Sequence, residues 1–189
     1  MIGRETMQPI YDFVDQHAGK QPFFVWYAPF LPHTPYDAPD RFRRLYDGKD
    51  VPEYLLPYYA EIARFDETVG SLLDHLQRKD LLSNTLVVFA SDNGLRPHRQ
   101  RHEQQDARSK LSQYEDGLRT PILIRWDGHV SPAQYQSLVR TVDLVPTVLS
   151  AVGLSAEVTP RMHGLDLMPT ALAGEPPPDR PAFGVIYPN

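Results

Sequence analysis

The stretch that most constrains this chain is Asn84-Thr-Leu-Val-Val-Phe-Ala-Ser-Asp-Asn-Gly94. Its apolar centre, Leu86 to Ala90, is short, almost unbroken and rich in β-branched and aromatic residues, which predicts a strand buried on both faces in a mainly parallel sheet. Asp92 and Asn93 follow directly, at the carboxyl end of that strand. In open α/β sheets ligands bind in the crevice beyond those ends. A carboxylate beside an amide carbonyl, with Gly94 permitting the turn, offers the hard oxygen donors that Ca²⁺ or Mg²⁺ prefers. The same three residues also make an ordinary Asx turn, so the neighbouring segments have to decide between the two.

The 189 residues suffice for one α/β domain with a core of its own. A 41% apolar and 23% charged composition is that of a globular chain. With a net charge of -5 there is no general reason to expect nucleic acid as a partner. The absence of cysteine excludes disulfides, thiolate metal sites and a cysteine nucleophile within these residues. No apolar run approaches the roughly 20 residues a membrane helix needs, and no signal-peptide core opens the chain.

Taken in order, Arg4 to His17 has the spacing of a short amphipathic helix with Gly19 as its stop. Phe23 to Ala28 reads as a second buried strand, followed by a proline-rich loop in which His33 sits on a stiff backbone. That histidine either hydrogen-bonds a turn or faces a ligand. Asp40 to Val51 is a polar surface helix and loop. Tyr58, Ile62, Phe65, Val69, Leu72, Leu73 and Leu76 then mark the clearest helix, expected to pack on the sheet, with Glu61 and Arg64 on other faces and Asp66 hydrogen-bonded near the apolar side. Strand, helix and strand from Phe23 to Ala90 read as a βαβ-like unit, with a right-handed crossover if the two strands are adjacent and parallel.

Between Gly94 and Leu111 lie Arg96, His98, Arg99, Arg101, His102, Arg108 and Lys110 against only Glu103 and Asp106. A long cationic loop beside a ligand edge suggests an anionic ligand, although a merely solvated loop has the same composition. Gln113 to Pro121 reads as a turn and Ile122 to Trp126 as a third strand. Asp143 is expected to cap a helix with Pro146 in its first turn and Gly153 at its end, Val142, Val145, Leu149 and Val152 facing the core. From Glu157 onward the sequence is loop-like until Phe183 opens another strand.

These pieces together resemble the sulfatase family, collinearly over essentially the whole chain. The resemblance is carried by Pro32-His33-Thr34-Pro35, Phe65-Asp66-Glu67-Thr68-Val69-Gly70, Asn84 to Phe89 running into Ser91-Asp92-Asn93-Gly94, Ser109-Lys110 with Tyr114 to Pro121, Arg125-Trp126, and Asp143-Leu144-Val145-Pro146-Thr147. It implies an alkaline-phosphatase-like α/β/α sandwich hydrolysing a sulfate monoester of a sugar or aryl alcohol. By the same resemblance Asp92 and Asn93 match two ligands of a divalent cation, generally calcium. Lys110 matches the lysine that contacts the sulfate group, and His33 the histidine that assists the leaving group. Arg99 and Arg101 in the basic loop suggest contacts to a sulfated glycan. Asp116 stands where the family often has glycine. The family's nucleophile, a formylglycine made in a C-x-P-S-R type motif, has no counterpart here, so residues 1–189 are expected to be an internal part of a sulfatase catalytic domain, inactive alone. Family members are commonly periplasmic, secreted or lysosomal. Two other readings stay open: phosphonate or phosphate ester hydrolysis on the same fold, and a non-catalytic product binding an anion or partner through the basic loop.

Overall fold

The computed structural model describes residues 1–94 and 108–183, which divide between two compact units, Met1–Leu82 and Ser83–Asn189. Arg99 and Arg101, with the rest of the basic loop up to Ala107, lie outside the described residues, as does all but the first residue of the strand expected from Phe183.

The first unit is helical. α1 (Gln8–His17) starts with Pro9 in its first turn and buries Ile10 and Val14, four residues apart and therefore on one face. After a proline-bounded loop come α2 (Asp40–Arg43), which buries Phe42, and the long α3 (Leu56–Arg78). Met7, Ile10, Val14, Leu31, Phe42, Ala60, Leu76 and Leu82 form the apolar core of this unit. α3 departs from its expected orientation. Its buried positions are Ala60, Glu61, Thr68, His75 and Leu76, while Asp66 is exposed and the predicted apolar stripe is for the most part only half-covered. The cause is what α3 meets. The Tyr27 hydroxyl sits 2.8 Å from Thr68 Oγ1, and His75 Nε2 sits 2.9 Å from Asp15 of α1 while its ring stacks on Tyr11. Thr68 and His75 have polar partners, so burying them costs little.

The strand expected at Phe23 to Ala28 is not formed. The segment is extended and its residues alternate in exposure, with Phe24 and Trp26 on the open side at 69% and 79%. No backbone hydrogen bond joins residues 22–29 to another described residue. β-branched and aromatic residues fit a pleated surface but cannot supply the neighbour that makes one, and the described part of this unit holds no ladder for the segment to join. The βαβ unit is therefore absent among the described residues.

The second unit holds the described sheet, two strands, β1 (Val87–Ala90) and β2 (Ile122–Arg125). They pair antiparallel with Val87 opposite Arg125 and Ala90 opposite Ile122, so the parallel pairing expected locally for β1 is corrected. Nor is β1 buried on both faces: Val87 to Phe89 are half-buried and Ala90 is exposed. Between the strands lies the single helical turn α4 (Glu115–Leu118). α5 (Leu144–Ala151) ends before Gly153, whose φ of +77° is the left-handed geometry that suits glycine. Its packing is the reverse of that expected. Pro146 and Thr147 are buried, whereas Val142, Val145 and Val152 are exposed. The side chain of Asp143 also does not cap α5; it turns the other way, accepting the backbone N–H of Arg140 at 2.7 Å and of Leu165 at 2.9 Å and pairing with Arg180. Past Glu157 the chain is not all loop, because α6 (Met168–Ala173) forms, with Pro169 in its first turn and left-handed Gly174 at its end. No described helix is long and apolar enough to cross a membrane.

Candidate functional site

The antiparallel register decides what stands beside Asp92. Because Ala90 faces Ile122, the residues just before β2 lie at the carboxyl end of β1, level with Ser91 to Gly94. Thr120 Oγ1 donates to the Ser91 carbonyl at 3.0 Å, and Gly94 N donates to the Gly117 carbonyl at 3.0 Å. The approach is so close that a Cβ on Gly94 would stand 1.8 Å from the Asp116 carbonyl oxygen. One layer further on, the Ser109–Ser112 turn closes with Ser112 N donating to Ser109 O at 3.0 Å. A Cβ on Gly117 would stand 2.3 Å from that same Ser109 oxygen. Two glycines thus let three turns stack, and the stack carries Asp92 and Asn93 at one end and Lys110 at the other.

Asn93 spends its Nδ2 on the Gly94 carbonyl at 3.0 Å, which orients the side chain and leaves Oδ1 without a hydrogen-bond partner among the described residues. The Asp92 side chain has no ion pair among them and is exposed. An exposed carboxylate and an oriented amide oxygen fit a hard divalent cation, which takes six to eight oxygen ligands. They are two of that number; no group of three or more His, Cys, Asp or Glu side chains able to hold a metal occurs among the described residues. Lys110 is half-buried, its ammonium unpaired among the described residues. The next residue, Leu111, has φ +74° and is exposed, a conformation a bulky side chain adopts only when its surroundings impose it. Asp116 does not take positive φ, so the turn behind Lys110 has no need of the glycine often found there.

A Gly117→Ala replacement sets a methyl group against a backbone oxygen that cannot rotate away. Stability is expected to fall by about 1–3 kcal/mol, read as a lower denaturation midpoint, with Gly70→Ala as control because a Cβ there meets nothing within 4 Å. An unchanged midpoint would mean that the three turns do not stack.

His33 belongs to the first unit. It is exposed on the loop after Leu31, with its N–H on the Phe30 carbonyl at 3.0 Å and its ring 4.9 Å from that of Phe30. Its Nδ1 lies 3.1 Å from both the carbonyl and the hydroxyl of Thr34, which leaves Nε2 as the nitrogen without a partner among the described residues. Sequence reasoning missed the groups that hold this loop. Arg4 Nη2 donates to the His33 carbonyl at 2.7 Å and to the Pro35 carbonyl at 3.1 Å. Arg4 also pairs with Asp37, as does Arg64 at 2.9 Å, and Glu61 is buried completely between the two arginines. The i, i+3 spacing of Glu61 and Arg64 was the one signal available, and surface ion pairs have the same spacing.

The sulfatase family model matches residues 3–154. The chain belongs to the sulfatase family, as its motifs implied. It is 33% identical over 183 residues to the N-acetylgalactosamine-6-sulfatase of Mus musculus, which covers 93% of this chain and 34% of that protein. Among solved structures, a protein from work on the metabolism of multiple glycosaminoglycans by Bacteroides thetaiotaomicron superposes with a TM-score of 0.77 at 25% identity, over 93% of this chain and 40% of that one. Another, Ps i-CgsB in complex with a neocarrahexaose, gives a TM-score of 0.70 at 28% identity, over 89% and 38%. The fold class is α/β, alkaline-phosphatase-like. The chain spans about a third of the length of the curated relatives it matches.

Proposed function

We propose that this chain supplies the metal-facing, anion-binding and leaving-group side of a sulfuric ester hydrolase acting on a sulfated sugar or aryl ester. The observation that supports this most directly is the stacking of the turns at Gly94, Gly117 and Ser109, which links the backbone carrying Asp92 and Asn93 to the turn carrying Lys110 within the second unit. Asp92 and Asn93 would hold a divalent cation, Ca²⁺ by the family resemblance, which would draw charge from the sulfate oxygens. Lys110 binds a sulfate oxygen as a compact point charge. In the charged imidazole of His33 the Nδ1–H is directed to the Thr34 carbonyl, and Nε2–H is then the proton given to the leaving oxygen as the S–O bond breaks. The nucleophile such an enzyme uses, a hydrated formylglycine, has no motif in residues 1–189.

The substrate class follows from charge. Arg99 and Arg101 belong to the cationic sequence between Gly94 and Leu111, a composition suited to a polyanionic glycan, and relatives include an N-acetylgalactosamine-6-sulfatase. Replacing both arginines is expected to lower kcat/KM on a charged oligosaccharide about fivefold, the value of roughly 1 kcal/mol for exposed charge contacts. Activity on a small aryl sulfate should hardly change; equal losses on the two substrates would remove the glycan assignment.

The test of the reading itself is calcium titration by calorimetry, paired with turnover by the chain completed with the nucleophile-bearing portion of an active relative. Binding that disappears in Asp92→Ala, and a kcat/KM favouring sulfate over the matched phosphate ester, are the expected results. A preference for phosphate moves the assignment to phosphoester hydrolysis. Absence of both calcium binding and turnover leaves a non-catalytic anion-binding chain.

A further inference from the structure

We infer that Arg4 is a positioning residue for His33, acting through the backbone of the loop rather than through the imidazole. Arg4 lies 29 residues before the histidine and on a different segment, a tight turn in which Gly3 N donates to Thr6 O at 3.0 Å. Gly3 has φ +84°, and the Tyr27 hydroxyl stands 2.5 Å from where a Cβ would be, so the turn has one geometry and Arg4 leaves it in one direction. Its side chain is only 7% exposed.

The guanidinium makes three attachments at once: the His33 carbonyl at 2.7 Å, the Pro35 carbonyl at 3.1 Å and the Asp37 carboxylate. These span residues 33–37, so one planar group pins both ends of the segment that carries the imidazole. The group is in turn fixed from behind. Arg64 Nη2 donates to the carbonyl of Arg4 itself at 2.6 Å, and its Nη1 reaches Asp37 at 2.9 Å. Glu61 approaches Arg4 at 4.0 Å and Arg64 at 3.6 Å. Neither Glu61 oxygen has a hydrogen-bond partner among the described residues, so the carboxylate acts as charge balance for two buried cations and not as a ligand of either. Burial, followed by the Glu61 charge, pushes the Tyr36 phenol above its ordinary value, which keeps that loop residue neutral.

A buried arginine that contacts loop carbonyls rather than apolar neighbours is a costly way to gain stability, and an efficient way to set the position of a backbone. Nη2 serves both carbonyls while Nη1, fixed in the same plane, meets Asp37; a lysine, with one nitrogen on a flexible stem, does not hold all three in those directions. What the positioning serves rests on the role proposed for His33 above. The positioning itself can be measured without that role.

The experiment uses this chain and compares wild type with Arg4→Lys and Asp37→Asn. Amide exchange read by NMR should rise at least tenfold for Arg4→Lys at His33, whose N–H donates to the Phe30 carbonyl, with exchange in α1 and α3 unchanged. Exchange that stays at the wild-type rate in both variants overturns the inference. Asp37 is exposed, so Asp37→Asn keeps the test open if Arg4→Lys fails to fold. In parallel, the His33 ring signals are followed during titration with 4-nitrophenyl sulfate. A response in wild type that weakens fivefold or more in Arg4→Lys is expected, and an equal response in both overturns the link to function. If wild type gives no response while exchange still rises in Arg4→Lys, the positioning stands and the sulfate-ester role of His33 is what fails.

Discussion

Asp143→Asn should lower the stability of this chain by about 3 kcal/mol, toward the lower end of what breaking a buried ion pair costs. The carboxylate is completely buried. It accepts N–H groups from Arg140 and Leu165 and meets the Arg180 guanidinium, so three chain segments converge on two oxygens. Thr147 extends the knot: its hydroxyl donates to the Asp143 carbonyl at 2.6 Å and accepts Leu167 N at 2.9 Å. A Cβ on Gly164 would stand 2.0 Å from the Val142 carbonyl, so there is no slack for a repacked alternative. An asparagine amide keeps one acceptor oxygen, points an N–H₂ at donors, and leaves the Arg180 charge uncompensated. For a chain of this length about 3 kcal/mol corresponds to a fall in Tm of roughly 6–12 °C.

The pH dependence carries the same signature. Burial pushes the Asp143 carboxyl up, but the Arg180 guanidinium and the two backbone N–H groups outweigh it and hold the group below the ordinary aspartate value. A depressed folded pKa means that the stabilisation is fully present above the unfolded value of about 3.9 and is lost as pH falls from there through the folded value. Thermal melts across that acid window should therefore show a slope in wild type that flattens in Asp143→Asn. Parallel slopes in the two proteins would indicate that Asp143 is not the group titrating.

Lys110→Ala, in the chain completed by a nucleophile-bearing portion, is expected to reduce kcat on an aryl sulfate by 10²–10³, about 2.7–4 kcal/mol of barrier. The loss should fall mainly on kcat and not on KM, because charge on the ester oxygens and the leaving oxygen grows as the S–O bond breaks and an ammonium already in place gains most from that growth. His33→Ala should behave differently with the leaving group. Esters of acidic phenols depart without a proton, so the penalty shrinks as the phenol becomes more acidic. For Lys110→Ala the penalty should be similar across the series. Equal sensitivity of both variants to leaving-group acidity would contradict the division of roles proposed for them.

Much of this was readable before any coordinates. Residues Asn84 to Gly94 announced a strand running into oxygen donors, α3 showed its helical period from Tyr58 to Leu76, and Pro146 with Gly153 bracketed α5. Such features depend on neighbours a few residues away, where backbone sterics and side-chain spacing act directly. The family, too, was legible, because its motifs recur in order along the chain and the family model matches residues 3–154.

What only the tertiary structure decided concerns partners distant in sequence. Phe23 to Ala28 has the composition of a strand but finds no edge in its unit to pair with, and β1 pairs antiparallel with β2 where a parallel neighbour was expected. Asp143 looked like a helix cap and instead became the centre of a buried knot, because Leu165 and Arg180 arrive from 22 and 37 residues away. Arg4 had no local reason to matter until folding set it against the His33 loop. A sequence states which groups a chain owns and what their nearest neighbours permit; which long-range donor meets which acceptor depends on chain closure and burial, and those exist only once the chain has packed.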